Sequence, residues 1–208
     1  MKKLILSSVL LLSAPLAVAE SQQATMLKAS AAAGAASANV DRSDASQVVT
    51  EAGQSAIKYL SDGALSESEA QDLLGFLDVE RVAKFTLGRY GRTLDEADIT
   101  RFTAAFEKYA SHQFQTHLAD FKGADLKVIE TINRKPDDAV VKTEIKTATG
   151  EIQAVNWRLM KNDSQWNVVD VEALGFWFAI EQRAQFTAVL DKTGGDVDAL
   201  IAKISAKK

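Results

Sequence analysis

The hydrophobic period of the chain changes from helical to alternating at residues 122–123, and this change constrains the fold more than any other feature. Before it, apolar residues recur every three or four positions, most clearly at Ile99, Phe102 and Phe106, which is typical of amphipathic helices. After it, apolar and polar residues alternate, as in residues 141–146 (VKTEIK), which is typical of strands with one buried face. The chain therefore changes from helices to a sheet.

Turn residues divide the alternating part into about four strands. Thr149-Gly150 and residues 161–164 (KNDS) separate successive runs, and residues 166–171 (WNVVDV) form the last strand. Connections this short join antiparallel neighbours, because a parallel crossover needs more chain. A helix near 177–191 and an amphipathic helix that includes Leu200 follow. The sequence predicts an α+β fold in which helices cover a sheet of about four antiparallel strands.

Three capping patterns predict where helices begin. Ser66 and Glu69 have the spacing of a capping box, and Asp78 precedes a further helical run. Thr93 and Glu96 form a second possible capping box before the strongest helix.

The N-terminal residues predict export. Residues 1–19 combine a basic start, a short apolar run and Ala17-Val18-Ala19, which predicts a secretory signal peptide cleaved after Ala19. The apolar run is too short for a permanent membrane anchor. Residues 20–46 are rich in Ala and Ser and are predicted to be a flexible leader. The folded domain is predicted over residues 47–206.

Composition narrows the class of function. The chain has no cysteine, which excludes disulfides, thiolate nucleophiles and cysteine-ligated metals. Acidic residues outnumber basic ones by 28 to 24, and loss of Lys2 and Lys3 with the signal peptide increases the excess. An acidic balance disfavours nucleic-acid binding and electrostatic attachment to anionic bilayers.

Candidates for catalysis are few. His112 and His117 are the two histidines, and five residues of helix separate them by about 140° around the axis, so no metal site is predicted. The acidic pair Asp137-Asp138 falls at a predicted turn, where turn chemistry explains it. No catalytic signature such as HExxH or GxSxG is present, and no cofactor is predicted.

Asp170 and Arg183 are the two charged residues in unexpected places. Asp170 lies within the apolar last strand, and a buried carboxylate needs a partner. Arg183 lies on the helical stripe of Ala179 and Phe186, where an apolar residue is expected. A structural ion pair between them is one interpretation. In the alternatives, Arg183 binds a lipid phosphate, or Asp170 is a general base with a raised pKa.

Separated segments of the chain resemble the motifs of one family. Residues 85–93 (FTLGRYGRT) are similar to its "LG…R" element, and Phe102 and Phe106 follow with its F-xxx-F spacing. Residues 166–171 are similar to its "WkvyDv" strand. Residues 175–178 (GFWF) and 183–186 (RAQF) resemble its "GvSl…yRsqF" element.

The family is the MlaC-like, or toluene-tolerance, family of periplasmic phospholipid-binding proteins, which includes the hopanoid-associated HpnM branch. The resemblance covers about residues 50–205. It implies a cone similar to nuclear transport factor 2, with an internal apolar cavity between helices and sheet. It also implies a carrier that shuttles phospholipid, or a hopanoid-like lipid, between an inner-membrane ABC transporter complex and an outer-membrane lipoprotein complex.

The same composition also fits an enzyme on this fold that uses a pocket carboxylate, or a scaffold with a solid core. Two departures from the family motif bear on the cargo: Phe176-Trp177 replaces a small Val-Ser, and Gln182 replaces a tyrosine. If a cavity exists, the residues predicted to line it are Phe85, Phe102, Phe106, Val128, Val141, Val155, Trp157, Val169, Phe176, Trp177 and Phe178.

Overall fold

The computed structural model describes residues 41–206, so the predicted signal peptide and most of the predicted leader lie outside the described residues. Residues 41–46 belong to the fold. The Arg42 guanidinium donates hydrogen bonds to Asn167 Oδ1 at 2.5 Å and to the Gly75 carbonyl at 2.6 Å. The first helix begins at Ala45, with the Asp44 side chain accepting from backbone N–H groups of its first turn. A flexible leader up to residue 46 is therefore wrong for residues 41–46.

Along the chain, helices both precede and follow the strands, as the sequence pattern predicts. Two helical capping predictions are confirmed: Ser66 and Glu69 form a reciprocal capping box, and Asp78 accepts from the backbone N–H of Arg81. In chain order the described helices are α1 (Ala45–Tyr59), α2 (Glu67–Leu74), α3 (Val79–Thr86), α4 (Glu96–His117), α5 (Phe178–Thr193) and α6 (Val197–Ser205).

The predicted capping box of Thr93 and Glu96 is wrong. Helix α4 begins at Glu96 itself, and its cap is Asp95, whose carboxylate accepts from the backbone N–H of Asp98. The Thr93 hydroxyl instead donates to the Tyr90 carbonyl at 3.1 Å, within the preceding 3₁₀ turn. The local turn uses the hydroxyl that the spacing had assigned to the helix.

The sheet is an antiparallel meander of five strands in the order of the chain, which confirms the α+β class and adds one short strand. A two-residue turn, Leu174-Gly175, creates the fifth strand by folding Phe176 back against Ala173. The strands are β1 (Asp125–Lys135), β2 (Asp138–Lys146), β3 (Ile152–Asn162), β4 (Gln165–Ala173) and β5 (Phe176–Trp177).

Two of the four hydrophobic cores of the described residues lie on either side of β4. The core that we call the sheet core packs Val48 and Val49 of α1 against Val141, Leu159 and other residues of the sheet. The core that we call the helical core lies among α3, α4, α5 and α6, and Val169 is the one buried residue that the sheet contributes to it.

A bulge in β4 places neighbouring residues in different cores. Arg158 of β3 pairs with Asp170, and Leu159 pairs with Val168, so Val169 is the extra residue between the two pairs. Val168 is buried in the sheet core and Val169 in the helical core. Strand β4 therefore joins the two cores.

The helices also bear on how the chain could relate to a bilayer. Among the helices of residues 41–206, none combines the length and the hydropathy that a membrane span requires.

Candidate functional site

The eleven residues predicted to line a cavity do not surround one space. Phe102, Phe106 and Val169 are buried in the helical core. Four others, Val128, Val141, Val155 and Trp157, pack between α1 and the sheet. Phe85, Phe176 and Phe178 are exposed, and Trp177 is half-buried. The predicted set therefore divides among three clusters of buried residues and the surface.

The internal apolar cavity that the resemblance implies is not shown by the structure. The Phe186 ring contacts the rings of Phe102, Phe106 and Tyr109, with centroids 5.8 to 6.3 Å apart. These edge-to-face contacts fill the centre of the helical core. On the other side of β4, Trp157 Nε1 donates to Thr143 Oγ1 at 3.0 Å, so the indole is held by its own sheet.

The chain carries an exposed apolar surface where β5 runs into α5. We call Leu174, Phe176, Phe178 and Ile180 the apolar tip; their side chains are 50 to 80% exposed. Leu174 and Gly175 both have positive φ, +55° and +83°, which is the geometry of a two-residue type I′ hairpin turn. A leucine at position 174 is disfavoured because a residue with a Cβ is strained at positive φ, and because its apolar side chain is exposed to water. The stability of the fold therefore does not explain why a leucine occupies position 174.

The ion pair predicted between Asp170 and Arg183 is absent from the structure of residues 41–206. Asp170 Oδ1 instead accepts from the backbone N–H groups of Ala179, at 2.8 Å, and Val171, at 2.9 Å. Burial raises the pKa of the Asp170 carboxyl, while these two hydrogen bonds and the charge of Arg158 oppose the rise. The Asp170 carboxylate caps α5 and therefore forms no ion pair with Arg183.

Arg183 stacks on an aromatic ring. Its guanidinium carbon lies 5.0 Å from the centroid of the Phe85 ring. Gly88 permits this approach of α3 to α5: a Cβ at Gly88 would lie 2.6 Å from Thr187 Cγ2 and 3.2 Å from Arg183 Nε. Within the described residues the guanidinium forms no ion pair or hydrogen bond, so its N–H donors are open to a ligand.

Gln182, the second departure from the family motif, lies inside the helical core. Its Oε1 accepts from the Tyr109 hydroxyl at 3.0 Å, and burial raises the pKa of that tyrosine. Its Nε2 is buried without a hydrogen-bond partner among the residues described, as are Ser111 Oγ and His112 Nδ1 of α4. Each of these atoms could bond to water or to the polar part of a ligand.

A buried ion pair occurs where the sequence predicted a turn. Asp138 is 4% exposed, and its carboxylate receives two hydrogen bonds of 3.2 Å from Arg158. Arg134 lies 3.9 Å from the same carboxylate. Arg158 pairs with Val140, two residues from Asp138, so the ion pair depends on the register of β2 and β3, which no local sequence pattern sets. Asp138 is therefore a structural residue of β2 rather than a turn residue.

Metal binding finds no support in the described part of the chain. His112 is half-buried and His117 is exposed. Residues 41–206 contain no cluster of three His, Cys, Asp or Glu side chains that could hold a metal ion.

A groove lies between α5 and α6, away from the apolar tip. Its volume is about 330 Å³, and its lining includes Phe186, Val189, Leu200 and Ile204 together with Lys192 and Lys203. This groove has no signature in the sequence, because its walls come from two helices joined by Gly194-Gly195.

The architecture of the described residues is similar to that of a protein of known structure. The fold resembles the solved structure of a phospholipid-binding protein from Ralstonia solanacearum in complex with a phospholipid, with a TM-score of 0.67. The two chains are 20% identical, and the match covers 77% of this chain and 94% of that one. No curated protein sequence matches the chain. The described residues therefore define an α+β protein with the fold of that phospholipid-binding protein.

A match to a protein-family model identifies the family of the chain. The model of the MlaC protein family matches residues 44–206, which is most of the chain. The chain belongs to the MlaC family, and the family predicted from the motifs is confirmed.

Proposed function

We propose that the chain is a soluble periplasmic lipid carrier that holds acyl chains and shuttles lipid between the inner and outer membranes. Membership of the MlaC family supports this function, as does the phospholipid in the Ralstonia solanacearum protein of the same fold. The partners proposed on the same basis are an inner-membrane ABC transporter complex and an outer-membrane lipoprotein complex. The N-terminal signal peptide predicted from sequence is part of the proposal.

One observation in this chain carries the proposal: an unpaired guanidinium adjoins an exposed apolar surface. Arg183 lies on α5 one turn after Ile180 of the apolar tip, and positions three apart are neighbours on a helix surface. Its partner ring, Phe85, is itself 39% exposed. A planar fork of donors beside apolar side chains complements a phosphate attached to acyl chains.

The acyl chains are proposed to enter the boundary between the helical core and the sheet. A two-chain lipid has on the order of thirty methylenes, each worth about 0.8 kcal/mol out of water, so it needs a deep apolar site. The sheet contributes Val169 and the half-buried Met160 to the helical core. Few side chains must therefore move to admit an acyl chain between the sheet and that core. Phe102, Phe106, Val169 and Trp177 are the predicted residues that would contact the chains.

The other predicted lining residues take different roles in this proposal. Phe85, Phe176 and Phe178 contact lipid at the entrance, because they are exposed beside Arg183 and on the apolar tip. Val128, Val141, Val155 and Trp157 are packing residues, because they lie between α1 and the sheet.

Phospholipid is the proposed cargo rather than a hopanoid-like lipid. An unpaired arginine at the entrance favours a phosphate headgroup, whereas a hopanoid-like ring system offers it no such acceptor. Phe176 and Trp177 are the residues that would favour a fused-ring lipid. The two cargoes are therefore distinguished by substitution of Arg183.

Enzyme function on the same fold is not favoured by the geometry of Asp170. The one carboxylate singled out as a general base caps α5 with the oxygen that also bonds to Val171. Its position is explained by its structural role.

Transfer of phospholipid between vesicles tests the proposal. Arg183→Gln is expected to slow uptake of a fluorescent phosphatidylglycerol severalfold. Arg89→Gln is the matched control, because the Arg89 guanidinium stacks on Tyr90 at the same 5.0 Å but is paired with Asp191. Equal rates for the two variants would exclude a headgroup contact at Arg183, and no uptake of phosphatidylglycerol by the wild-type chain would favour a cargo without phosphate.

A further inference from the structure

The groove between α5 and α6 has an apolar floor and a cationic rim. Phe186, Val189, Leu200 and Ile204 form the floor, and Lys192 and Lys203 stand at the rim. The rings of Phe102 and Phe106 contact the Phe186 ring from the helical core, so the floor is supported by the aromatic cluster behind it. The floor is a surface that the fold holds in place.

The two lysines are unpaired. Within residues 41–206 neither Lys192 nor Lys203 forms an ion pair or a hydrogen bond, and both are exposed. The carboxylates next to the groove have other partners: Asp191 is paired with Arg89, and Asp198 with Arg101. In a chain with 28 acidic and 24 basic residues, this is a local reversal of charge.

The remaining polar groups of the groove are neutral. The Thr193 hydroxyl donates to the carbonyls of α5 at Val189 and Leu190. Gln185 contributes a side-chain amide, and no carboxylate lines the groove. An anionic ligand would therefore meet attraction from two cations and repulsion from none of the lining side chains.

We propose that this groove binds a single-chain amphiphile with a carboxylate head, of the fatty-acid class. A volume of about 330 Å³ lies at the lower end of the range for small-molecule pockets and suits one chain rather than two. The chain lies on the floor, and Lys192 and Lys203 bind the carboxylate. The site is separate from the entrance proposed for phospholipid, because Phe85 and Arg183 do not line it.

Titration of the full chain with laurate and with 1-dodecanol tests whether the groove binds a carboxylate head, since the two probes share a chain length and differ in the head. Each exposed ion pair contributes a factor of about three in affinity, so laurate is expected to bind about tenfold more tightly than dodecanol. The double variant Lys192→Gln/Lys203→Gln is expected to lose that preference. Lys58→Gln/Lys108→Gln, which neutralises two exposed lysines elsewhere, is the matched control and is expected to keep it.

A second variant tests the apolar floor. Ala188 lines the groove and is exposed, so Ala188→Trp fills the space without disturbing the core and is expected to weaken both probes. Equal affinity of the wild-type chain for laurate and dodecanol would overturn the proposal. Unchanged laurate binding in the lysine variant, or in Ala188→Trp, would do so as well.

Failure of this proposal can be told apart from failure of the carrier function. The lysine variant is expected to retain the same amount of copurified phospholipid as the wild-type chain. If laurate binding and phospholipid content fall together, the groove is part of the carrier site and the separate fatty-acid site is wrong.

Discussion

The carboxylate of Asp170 caps helix α5 by accepting a hydrogen bond of 2.8 Å from the backbone N–H of Ala179. The residue at the N-cap position itself, Trp177, makes no capping hydrogen bond with its side chain. A carboxylate from β4 thus satisfies a donor at the start of α5 that a serine or aspartate would usually satisfy locally. Strand β4 and helix α5 are linked through this contact, next to the apolar tip.

Substitutions of Asp170 separate its role as an acceptor from its charge. Asp170→Asn keeps an acceptor oxygen and is expected to change the free energy of unfolding at pH 7 by less than about 0.5 kcal/mol, or to raise it. Asp170→Ala removes the acceptor and is expected to lower it by about 1 kcal/mol. Urea denaturation measures both, with Asp120→Asn, at an exposed position, as the control. Equal destabilisation by Asn and Ala would show that the charge matters rather than the acceptor.

The stability that Asp170 contributes depends on pH in a defined direction. Because its pKa is raised above the ordinary value of 3.8, the folded state holds this proton more tightly than the unfolded state. Its contribution is therefore fully present below pH 3.8 and is lost as the pH rises through the raised pKa. Relative to Asp170→Asn, the wild-type chain is expected to lose free energy of unfolding between pH 3.5 and pH 7. A difference that is constant over this range would contradict the raised pKa.

The ion pair of Asp138 and Arg158 predicts an asymmetric response to substitution. Arg158→Leu leaves a buried carboxylate without its main partner and is expected to lower the free energy of unfolding by about 3 kcal/mol. Asp138→Asn leaves an arginine whose side chain is 35% exposed and is expected to cost about 1 kcal/mol. Arg134→Leu, at the more distant arginine, serves as the control and should have little effect. A larger loss for Asp138→Asn than for Arg158→Leu would refute this interpretation.

Leu174 is predicted to serve lipid transfer at the expense of stability. Leu174→Asn places a residue that tolerates positive φ before Gly175 and is expected to raise the free energy of unfolding by about 0.5 to 1 kcal/mol. The same substitution removes the most exposed side chain of the apolar tip and is expected to slow uptake of phospholipid from vesicles. Ile152→Asn changes another exposed apolar residue, on β3, and is the control for uptake. A stabilised variant with wild-type uptake would show that the tip has no part in transfer.

Local patterns predicted the elements of the fold well. The alternation after Gly123 identified the strands, and short turns fixed their antiparallel order, because both depend on residues close in sequence. Ser66 and Asp78 cap helices as predicted, since a cap is decided within one turn. Thr93 was assigned wrongly because a competing carbonyl of the adjacent 3₁₀ turn accepts from its hydroxyl.

The partners of the charged residues could not be predicted, because they depend on strand register and on packing between distant segments. Asp170 faces Arg158 across β3 and β4, and the bulge at Val169 sets that pairing. Arg183 points to Phe85, which is almost one hundred positions away in sequence and is brought near by the close approach at Gly88. The predicted lining residues divide among separate cores for the same reason: periodicity shows that a residue is buried, but not on which side of the sheet.

Native mass spectrometry of the purified chain, followed by solvent extraction and lipid analysis, tests the central claim most directly. The account predicts a complex with one phospholipid per chain, and an empty chain that takes up one phospholipid after incubation with phosphatidylglycerol vesicles. A chain that is purified without lipid and takes up none from those vesicles would contradict the carrier function.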